Sequence, residues 1–312
     1  MNEAKYREAE QKLWSSVGIE PGEQYITLPR IGVKVRVQEV GEGEPVLFDH
    51  GGPNAGSTWA PLVANLPGHR CLLVDRPGTG LSEAYPVTGR NVAEFSELFV
   101  GDVLDGLGLP SAHVVASSFG GMIAIRSDAA EPGRIDRMVQ MACPAFAPGM
   151  LTPQFMKGMG IAPLRWLISK LPPSQKSNDS IMRQIGHGAS IDAGRLPRVF
   201  SDWYMELQRH TDTMKNEMAM IGSVVSFKGF DPAHTLPDAV LGAVSAPTRF
   251  LWGSDDGFGG EEVARATVGR MPSADLVMIP EAGHLPWLDF PESIARQTAG
   301  WLAAEDREPA AG

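Results

Sequence analysis

A serine stands at the boundary between a short apolar run and a helix-forming stretch, with small residues on both sides of it. Residues 116–120 read Ala-Ser-Ser-Phe-Gly, and the apolar run before them, residues 113–115, reads His-Val-Val. A sharp turn from a strand into a helix strains the backbone of its central residue, and the residues two before and two after it must be small because their backbones nearly touch. The pattern predicts a strand-turn-helix unit that presents Ser118 as a nucleophile.

The neighbouring Ser117 is the alternative centre of this turn. Its second neighbours are Val115 and Phe119, which are bulky, whereas those of Ser118 are alanine and glycine. We therefore expect Ser118 to be the nucleophile.

Short apolar runs alternate with longer stretches along most of the chain. Residues 32–40 alternate valine with charged or polar residues, as in a strand with one solvated face. Continuous apolar runs, typical of buried parallel strands, lie at Val46–Phe48, Cys71–Val74, His113–Val115, Met138–Met141, Arg249–Trp252 and Leu276–Ile279. Candidate crossover helices lie at Trp59–Leu66, Val92–Leu107, Phe119–Ala130, Glu261–Met271 and Glu292–Ala303. The alternation predicts an α/β fold with a mostly parallel, doubly wound sheet covered by helices on both faces.

This alternation stops between about Pro144 and Asp238. The stretch is rich in Met, Trp, Arg and Pro, with helical spacing around residues 198–220. We predict a helical cap inserted after the sixth strand of the sheet. The predicted division is a core of residues 1–143 and 239–304, a cap of residues 144–238 and a flexible tail of residues 305–312.

The composition favours a folded protein that acts on small molecules. The 312 residues are 43% hydrophobic and 21% charged, which suffices for one large domain. A formal net charge of -10, spread along the chain, disfavours nucleic acids and anionic membranes as partners. Because the chain has no long apolar run and begins with a charged segment unlike a signal peptide, we predict a soluble, cytoplasmic protein with a partly apolar small-molecule substrate. The oligomeric state stays open.

Neither a metal nor an organic cofactor is expected. Cys71 and Cys143 adjoin predicted strands and are interpreted as buried thiols rather than a disulfide. The histidines lack the spacing of metal ligands. The glycines of residues 78–80 resemble the start of a dinucleotide-binding motif, but Glu83 occupies the third glycine position, and we interpret the segment as a rigid turn.

Two later strand ends carry the groups that activate a serine. A serine hydroxyl needs a base, usually an imidazole, which a carboxylate in turn orients. Residues 253–256, Gly-Ser-Asp-Asp, follow one predicted strand, and His284 follows the next. Because parallel strands send their carboxyl ends to one edge of the sheet, Ser118, one of the two aspartates and His284 can converge there.

The turn after the strand at residues 46–48 is a candidate oxyanion-binding element. It reads Asp-His-Gly-Gly-Pro, residues 49–53, and its glycines let the backbone approach a ligand closely. We expect the backbone amides of Gly52 and Phe119 to bind the oxyanion of a tetrahedral intermediate. His50 is interpreted as a structural residue that supports loops by hydrogen bonding, rather than as a base.

Together these segments resemble the α/β-hydrolase fold family of serine hydrolases, over roughly Tyr25 to Trp301. The matching segments are residues 50–53, 75–82, 116–120, 253–256 and 282–284. The family pattern places the acid three residues after the glycine of its turn, which implies Asp256 rather than Asp255. The family's serine turn usually begins with glycine where this chain has Ala116, a change of one methyl group that removes no catalytic group.

The resemblance implies a serine hydrolase that cleaves a carboxylic ester or a related acyl bond, with Ser118, His284 and Asp256 as the triad. Similar family members hydrolyse carbon–carbon bonds of ring-cleavage products, cleave amides or N-terminal proline residues, or form peracids without a cofactor. The His-Gly-Gly-Pro turn resembles that of proline iminopeptidases, but Asn54-Ala55-Gly56 follows instead of the glycine usual there. Haloalkane dehalogenases and epoxide hydrolases need an aspartate in place of Ser118. A ligand-binding protein without turnover is a further alternative.

Several side chains of the predicted cap are candidates for lining a substrate pocket. Methionine and tryptophan residues suit an irregular apolar pocket, although we expect ordinary packing of the cap to explain most of them; they are Met150, Met156, Met159, Trp166, Met182, Trp203, Met205, Met214, Met218 and Met220. The arginines that can meet a substrate carboxylate are Arg165, Arg183, Arg195, Arg198 and Arg209. Exposed helix faces carry arginine routinely, so the sequence selects none of them.

Overall fold

The computed structural model describes residues 1–168 and 171–304. In these residues the strands, in chain order, are β1 (Gly22–Thr27), β2 (Lys34–Val40), β3 (Glu44–Asp49), β4 (His69–Val74), β5 (Ala112–Ser117), β6 (Ile135–Met141), β7 (Val225–Ser226), β8 (Gly229–Phe230), β9 (Thr248–Gly253) and β10 (Ala274–Ile279).

The helices of the same residues, in chain order, are α1 (Glu3–Ser16), α2 (Ala60–Val63), α3 (Val92–Leu107), α4 (Ser118–Ala130), α5 (Gln154–Met159), α6 (Ala162–Ile168), α7 (Gln175–Gln184), α8 (Gly188–Asp192), α9 (Arg198–His210), α10 (Thr213–Val224), α11 (Asp238–Leu241), α12 (Glu261–Val268), α13 (Pro286–Asp289) and α14 (Pro291–Leu302). Short 3₁₀ turns lie at Gly56–Trp59 and Pro232–His234. Within the described ranges no helix has both the length and the apolar character that crossing a membrane requires.

One large sheet takes up eight of these strands in the order β1-β2-β4-β3-β5-β6-β9-β10. The pairs β1–β2 and β2–β4 are antiparallel, and all the other pairs are parallel. Each apolar run singled out in the sequence forms a strand of this sheet, and the predicted mostly parallel α/β architecture is confirmed. Strand β1 carries no such signal because it is an edge strand in which Ile26 alone is buried.

The strand that leads to Ser118 lies in the middle of the sheet. All six residues of β5 are buried, since β3 and β6 flank it and helices cover the sheet, which explains its continuous apolar sequence. The register aligns the carboxyl ends of the parallel strands: Asp49 in β3 pairs with Ala116 in β5, and Gly253 in β9 pairs with Ile279 in β10. The loops that follow β3, β5, β9 and β10 therefore begin at one edge of the sheet.

The chain between β6 and β9 contributes no strand to the large sheet within the described residues. It contains α5 to α11 and a separate hairpin formed by β7 and β8. The helical spacing around residues 198–220 corresponds to two helices, α9 and α10, separated at Thr211 and Asp212. The hairpin was not predicted, because strands of two residues are too short to show a period. The predicted tail, residues 305–312, lies outside the described residues.

The N-terminal helix α1 connects the sheet to this segment. It packs along α9, and the Asn2 amide donates a hydrogen bond of 2.9 Å to the His210 carbonyl. The carboxylate of Glu10 lies 2.7 Å from the fully buried guanidinium of Arg36, which also pairs with Asp75 at 2.8 Å. This network fixes α1 to β2 and to the loop after β4. Removal of one member would leave a buried charge uncompensated, which is strongly destabilising.

Candidate active site

Ser118 occupies the junction of β5 and α4 and has a left-handed backbone conformation, with φ of 52°. Residues other than glycine rarely adopt this conformation, and backbone strain of this kind clusters at functional sites. Gly120 is required two residues later, because a Cβ there would overlap the carbonyl oxygen of Asp49. Ala116 is fully buried and pairs with Asp49 in the sheet, so the fold accommodates its methyl group.

The two adjacent serines have different surroundings. Ser117 is fully buried with an extended backbone, and its Oγ has no hydrogen-bond partner among the described residues. Ser118 is partly exposed and lines a cavity that Ser117 does not reach. Of the two, Ser118 is therefore the one that a ligand in the cavity can meet.

The loop after β9 directs the carboxylate of Asp256 to the imidazole of His284. The Nδ1 atom of His284 lies 2.9 Å from Oδ2 and 3.0 Å from Oδ1 of Asp256. The Cys143 amide donates to Oδ2 and the Phe258 amide donates to Oδ1, each at 2.9 Å. Both carboxylate oxygens are thus bonded, which holds the carboxylate against one nitrogen of the ring.

The other nitrogen of this imidazole is free to accept a proton. With Nδ1 donating to Asp256, the hydrogen-bond network assigns an unprotonated Nε2 to neutral His284. Nε2 is buried and has no hydrogen-bond partner in the described part of the chain, and the ring packs on Phe258 with centroids 4.5 Å apart. His284 and Ser118 line the same cavity. Asp255, in contrast, is exposed and accepts a hydrogen bond from Ser254.

The predicted oxyanion donors lie at this cavity as well. Gly52 and Phe119 both line it, together with Ser118. Because α4 begins at Ser118, the Phe119 amide belongs to the first turn of the helix, where backbone N–H groups lack intrahelical acceptors and the helix dipole favours negative charge. Gly51 packs directly on the serine turn, since a Cβ there would come within 2.8 Å of the Ser118 Cβ.

His50 holds the glycine turn in place. Its Nδ1 donates to the Gly51 carbonyl at 2.6 Å, and its Nε2 accepts a hydrogen bond of 3.3 Å from the Arg76 amide. Burial, with a further contribution from the Arg76 charge, lowers the pKa of His50 well below its usual value, which keeps the ring neutral. These bonds agree with the interpretation of His50 as a structural residue.

A buried cluster of one arginine and two carboxylates lies beneath the glycine turn, and the sequence did not reveal it. Arg76 donates to Oε1 of Glu217 at 3.2 Å, and its Nε lies 3.7 Å from Oδ1 of Asp49. The same guanidinium stacks over the Phe119 ring, 4.8 Å from its centroid. Burial raises the pKa of Asp49 to about 7, against the opposing effect of Arg76. The cluster thus joins α10, the turn after β3 and the residue after Ser118.

The glycine-rich segment 75–82 forms a turn that contacts α10. The Gly80 amide donates to Oγ1 of Thr213 at 2.9 Å, and Nδ2 of Asn216 donates to the Gly78 carbonyl at 2.8 Å. Thr213, Asn216 and Glu217 are spaced i, i+3 and i+4 and so share one face of the helix. This polar face was the available sequence signal for the position of Glu217.

A second pair of a histidine and an aspartate supports the loop that carries His284. His187, which is fully buried, pairs through Nδ1 with Asp289 at 2.9 Å, and its Nε2 accepts a hydrogen bond of 3.2 Å from the Leu285 amide. The His284 amide donates to the Ile185 carbonyl at 2.9 Å. The segment around α8 is therefore bonded directly to the loop that carries His284, which the spacing of the histidines did not indicate.

The cavity lined by Gly52, Ser118, Phe119, Glu217 and His284 has a volume of about 1090 Å³ and a largely apolar surface. Of the ten candidate methionines and tryptophans, all but Trp203 and Met205 line it. Met156, Met182 and Met220 also belong to the buried core, so lining the cavity and packing of this segment are not exclusive. Of the five candidate arginines, Arg165 lines the cavity and the others do not; its Nη1 donates to the Met159 carbonyl at 2.7 Å. A cavity of this size accommodates a bulky apolar ligand.

Among the described residues, neither a cluster of metal-ligating side chains nor an activated cysteine offers a second kind of catalytic group. Within residues 1–168 and 171–304, no three His, Cys, Asp or Glu side chains are grouped so that they would hold a metal ion. Both cysteines are buried thiols: burial raises the pKa of Cys71 to about 12, and burial with the nearby Asp256 raises that of Cys143 well above its usual value. Neither thiol is therefore an activated nucleophile.

Comparisons with known proteins agree with this geometry. A family model described as the alpha/beta hydrolase family matches residues 46–297. A 2-hydroxy-6-oxo-6-phenylhexa-2,4-dienoate hydrolase of Burkholderia cepacia is 24% identical over 90% of this chain and 96% of that protein. A 2-hydroxy-6-oxononadienedioate/2-hydroxy-6-oxononatrienedioate hydrolase of Burkholderia vietnamiensis is 26% identical over 89% of this chain and 95% of that protein.

Solved structures that share the fold include esterases as well as a hydrolase with the name of the first relative. The naproxen esterase (carboxylesterase NP) of Bacillus subtilis superposes with a TM-score of 0.72 over 96% of this chain and 97% of that chain, at 15% sequence identity. At this level of identity the likeness demonstrates a shared fold.

Proposed function

This chain belongs to the α/β-hydrolase family and is a hydrolase of that type, and on that premise we propose that it is a serine hydrolase that cleaves a carboxylic ester or related acyl bond of a small, partly apolar molecule. The observation that carries the proposal is the bond between Asp256 and Nδ1 of His284 at a cavity that Ser118 also lines. The open Nε2 of His284 and the strained backbone of Ser118 support it.

In the proposed mechanism, Oγ of Ser118 attacks the substrate carbonyl carbon while Nε2 of His284 takes the hydroxyl proton. Asp256 keeps the ring oriented and stabilises the imidazolium that forms. The amides of Gly52 and Phe119 bind the oxyanion of the tetrahedral intermediate. His284 then gives the proton to the leaving oxygen, and a water molecule, activated by the same histidine, releases the acyl group from Ser118.

We also propose that residues 144–238 act as a cap that selects the substrate. The apolar lining supplied by this segment favours a substrate with a large apolar group. The boundaries of the cap and a cytoplasmic location stay predictions.

A second candidate is hydrolysis of a carbon–carbon bond next to a carbonyl. The two Burkholderia relatives support it, because the names of both describe hydrolases of 2-hydroxy-6-oxo compounds. The same serine, histidine and amides would serve this reaction, but the proton would go to a leaving carbon instead of to an ester oxygen. Amide cleavage and peracid formation stay predictions without a comparable observation.

A panel of substrates with different scissile bonds tests the proposal. We would measure kcat/KM for p-nitrophenyl esters from acetyl to dodecanoyl, for prolyl and alanyl p-nitroanilides, and for 2-hydroxy-6-oxo-6-phenylhexa-2,4-dienoate. We expect the best ester to exceed every anilide by about 100-fold or more, because the cavity offers apolar contacts to the acyl chain and an ester has the better leaving group. Faster cleavage of the dienoate than of every ester would establish the second candidate instead.

A further inference from the structure

Among the described residues, one oxygen of a buried carboxylate in the proposed cap lacks a hydrogen-bond partner. Glu217, on α10, is 5% exposed, and its Oε1 accepts a hydrogen bond of 3.2 Å from Arg76. Its Oε2 is buried and has no hydrogen-bond partner among the residues that the structure describes. A buried acceptor left without a donor costs free energy, so this oxygen is suited to a donor that a ligand brings.

This oxygen lies at the proposed reaction centre. Glu217 lines the same cavity as Ser118 and His284. Its Oε2 occupies the space beside Gly52 that a side chain there would take, since a Cβ on Gly52 would overlap it. Because residue 52 is glycine, there is room for the Glu217 carboxylate next to the Gly52 amide, which we propose binds the oxyanion.

The carboxylate is held in that position from several sides. Thr213 and Asn216, on the same face of α10, are hydrogen-bonded to the turn at Gly80 and Gly78. Arg76 binds the other oxygen of Glu217. Because these bonds fix both the helix and the carboxylate, Oε2 is a preorganised acceptor and does not need to reorient when a ligand arrives.

We propose that Glu217 selects substrates that carry a hydrogen-bond donor, a hydroxyl or an amino group, on the carbon next to the scissile carbonyl. The carbon next to the carbonyl of a substrate bound at the Gly52 amide lies one bond from that carbonyl. Because Oε2 of Glu217 lies beside Gly52, a substituent on this carbon that points toward α10 is within its reach. An anionic oxygen beside a developing oxyanion is unfavourable unless a donor satisfies it. This inference rests on the proposed function and names the substrate class of that same site.

Four esters of similar size test this selectivity. They are the p-nitrophenyl esters of mandelic acid, phenylglycine, 2-phenylpropanoic acid and phenylacetic acid, which place a hydroxyl, an amino group, a methyl group and hydrogen on the carbon in question. We expect kcat/KM of the hydroxyl or the amino ester to exceed that of the methyl ester by about 10- to 100-fold, the range for a hydrogen bond to a charged group. The ratio of kcat/KM between the hydroxyl and amino esters distinguishes a preference for a neutral donor from a preference for a cationic one.

Two substitutions locate the preference at Glu217. In Glu217→Gln and Glu217→Leu we expect the preference to fall to within about 3-fold, while the methyl and hydrogen esters are still hydrolysed, which also shows that the variants fold. Glu206→Gln is the matched control, because Glu206 lies on the neighbouring helix α9, pairs with Arg209 and does not line the cavity. This control should keep the wild-type preference.

The other outcomes separate the two proposals. If the wild-type protein hydrolyses all four esters equally well, or if both Glu217 variants keep the preference, the role of Glu217 is overturned and the serine hydrolase proposal stands. If none of the four esters is hydrolysed by any form of the protein, and neither are the esters of the chain-length series, both proposals fail together.

Discussion

The loops at the carboxyl ends of the strands and the proposed cap each hold a buried carboxylate, and the two carboxylates are bonded differently. At the sheet edge, both oxygens of Asp256 are bonded, to His284 and to the amides of Cys143 and Phe258. In the cap, Glu217 keeps one buried oxygen without a partner among the described residues. A fully bonded carboxylate can only orient its neighbours, whereas an open one can bind a ligand. The difference supports the proposal that the sheet edge supplies the catalytic groups and the cap selects the substrate.

The two regions are also positioned by different interactions. Ser118, Asp256 and His284 follow strands whose backbone register fixes where each loop begins. Glu217 and His187 depend on side-chain bonds between the cap and core loops. We therefore expect single substitutions in the cap to alter selectivity while the sheet and its loops stay intact, which makes the comparison testable residue by residue.

The largest expected effect belongs to the sheet edge. Ser118→Ala should lower kcat for the best ester by about 10⁶-fold, since it removes the proposed nucleophile, and should abolish labelling by a serine-directed phosphonate. Ser117→Ala is the matched control: its Oγ makes no hydrogen bond within the described residues, so activity and labelling should remain within about 3-fold of wild type. Equal labelling of wild type and Ser118→Ala would remove Ser118 from the mechanism.

The second-largest expected effect tests whether Asp256 or Asp255 orients His284, the proposed base. Asp256→Asn should reduce kcat by about 10⁴-fold, because the amide would donate to Nδ1 of His284 and favour the wrong tautomer. Asp255→Asn should change kcat by less than about 3-fold, since Asp255 is exposed and contacts Ser254 rather than the imidazole. The two variants are compared by measuring their initial rates of hydrolysis of one ester. A larger loss in Asp255→Asn than in Asp256→Asn would contradict the geometry.

The fold and the groups at the sheet edge could be predicted because strong local patterns encode them. Buried parallel strands are continuous apolar runs, and β5 and its neighbours stood out for that reason. The small residues around Ser118 reflect a backbone constraint that the sequence must satisfy, as the overlap expected from a Cβ on Gly120 demonstrates. Strand β1 and helix α1 were not predicted. Strand β1 is mostly exposed, and helix α1 is held by Arg36, which is distant in the sequence.

The groups in the cap could not be predicted in the same way. A helix period says which residues share a face but not what that face meets, so Glu217 gave no sign of its contact with Arg76, 141 positions away in the sequence. His187 likewise meets Asp289 across 102 positions. The sequence likewise did not separate methionines that line the cavity from those that pack the core, since both roles require the same apolar residues.

The smallest of these effects asks how strongly the cap supports the base loop. His187→Leu removes the donor to Asp289 and the acceptor for the Leu285 amide, leaving buried polar groups unpaired. We expect the free energy of unfolding to fall by about 1–3 kcal/mol in urea titrations and kcat/KM to fall by about tenfold, because the loop of His284 loses an anchor.

His210→Leu on α9 provides the control for this last effect. His210 is partly exposed and pairs with Glu206 within its own helix, so its loss should change the free energy of unfolding by less than about 0.5 kcal/mol and leave kcat/KM unaltered. If His187→Leu is as stable as this control but less active, the bond network acts on the position of the base rather than on folding. If both variants match wild type in stability and rate, the base loop is held from the sheet edge alone, and the cap has no part in positioning the catalytic groups.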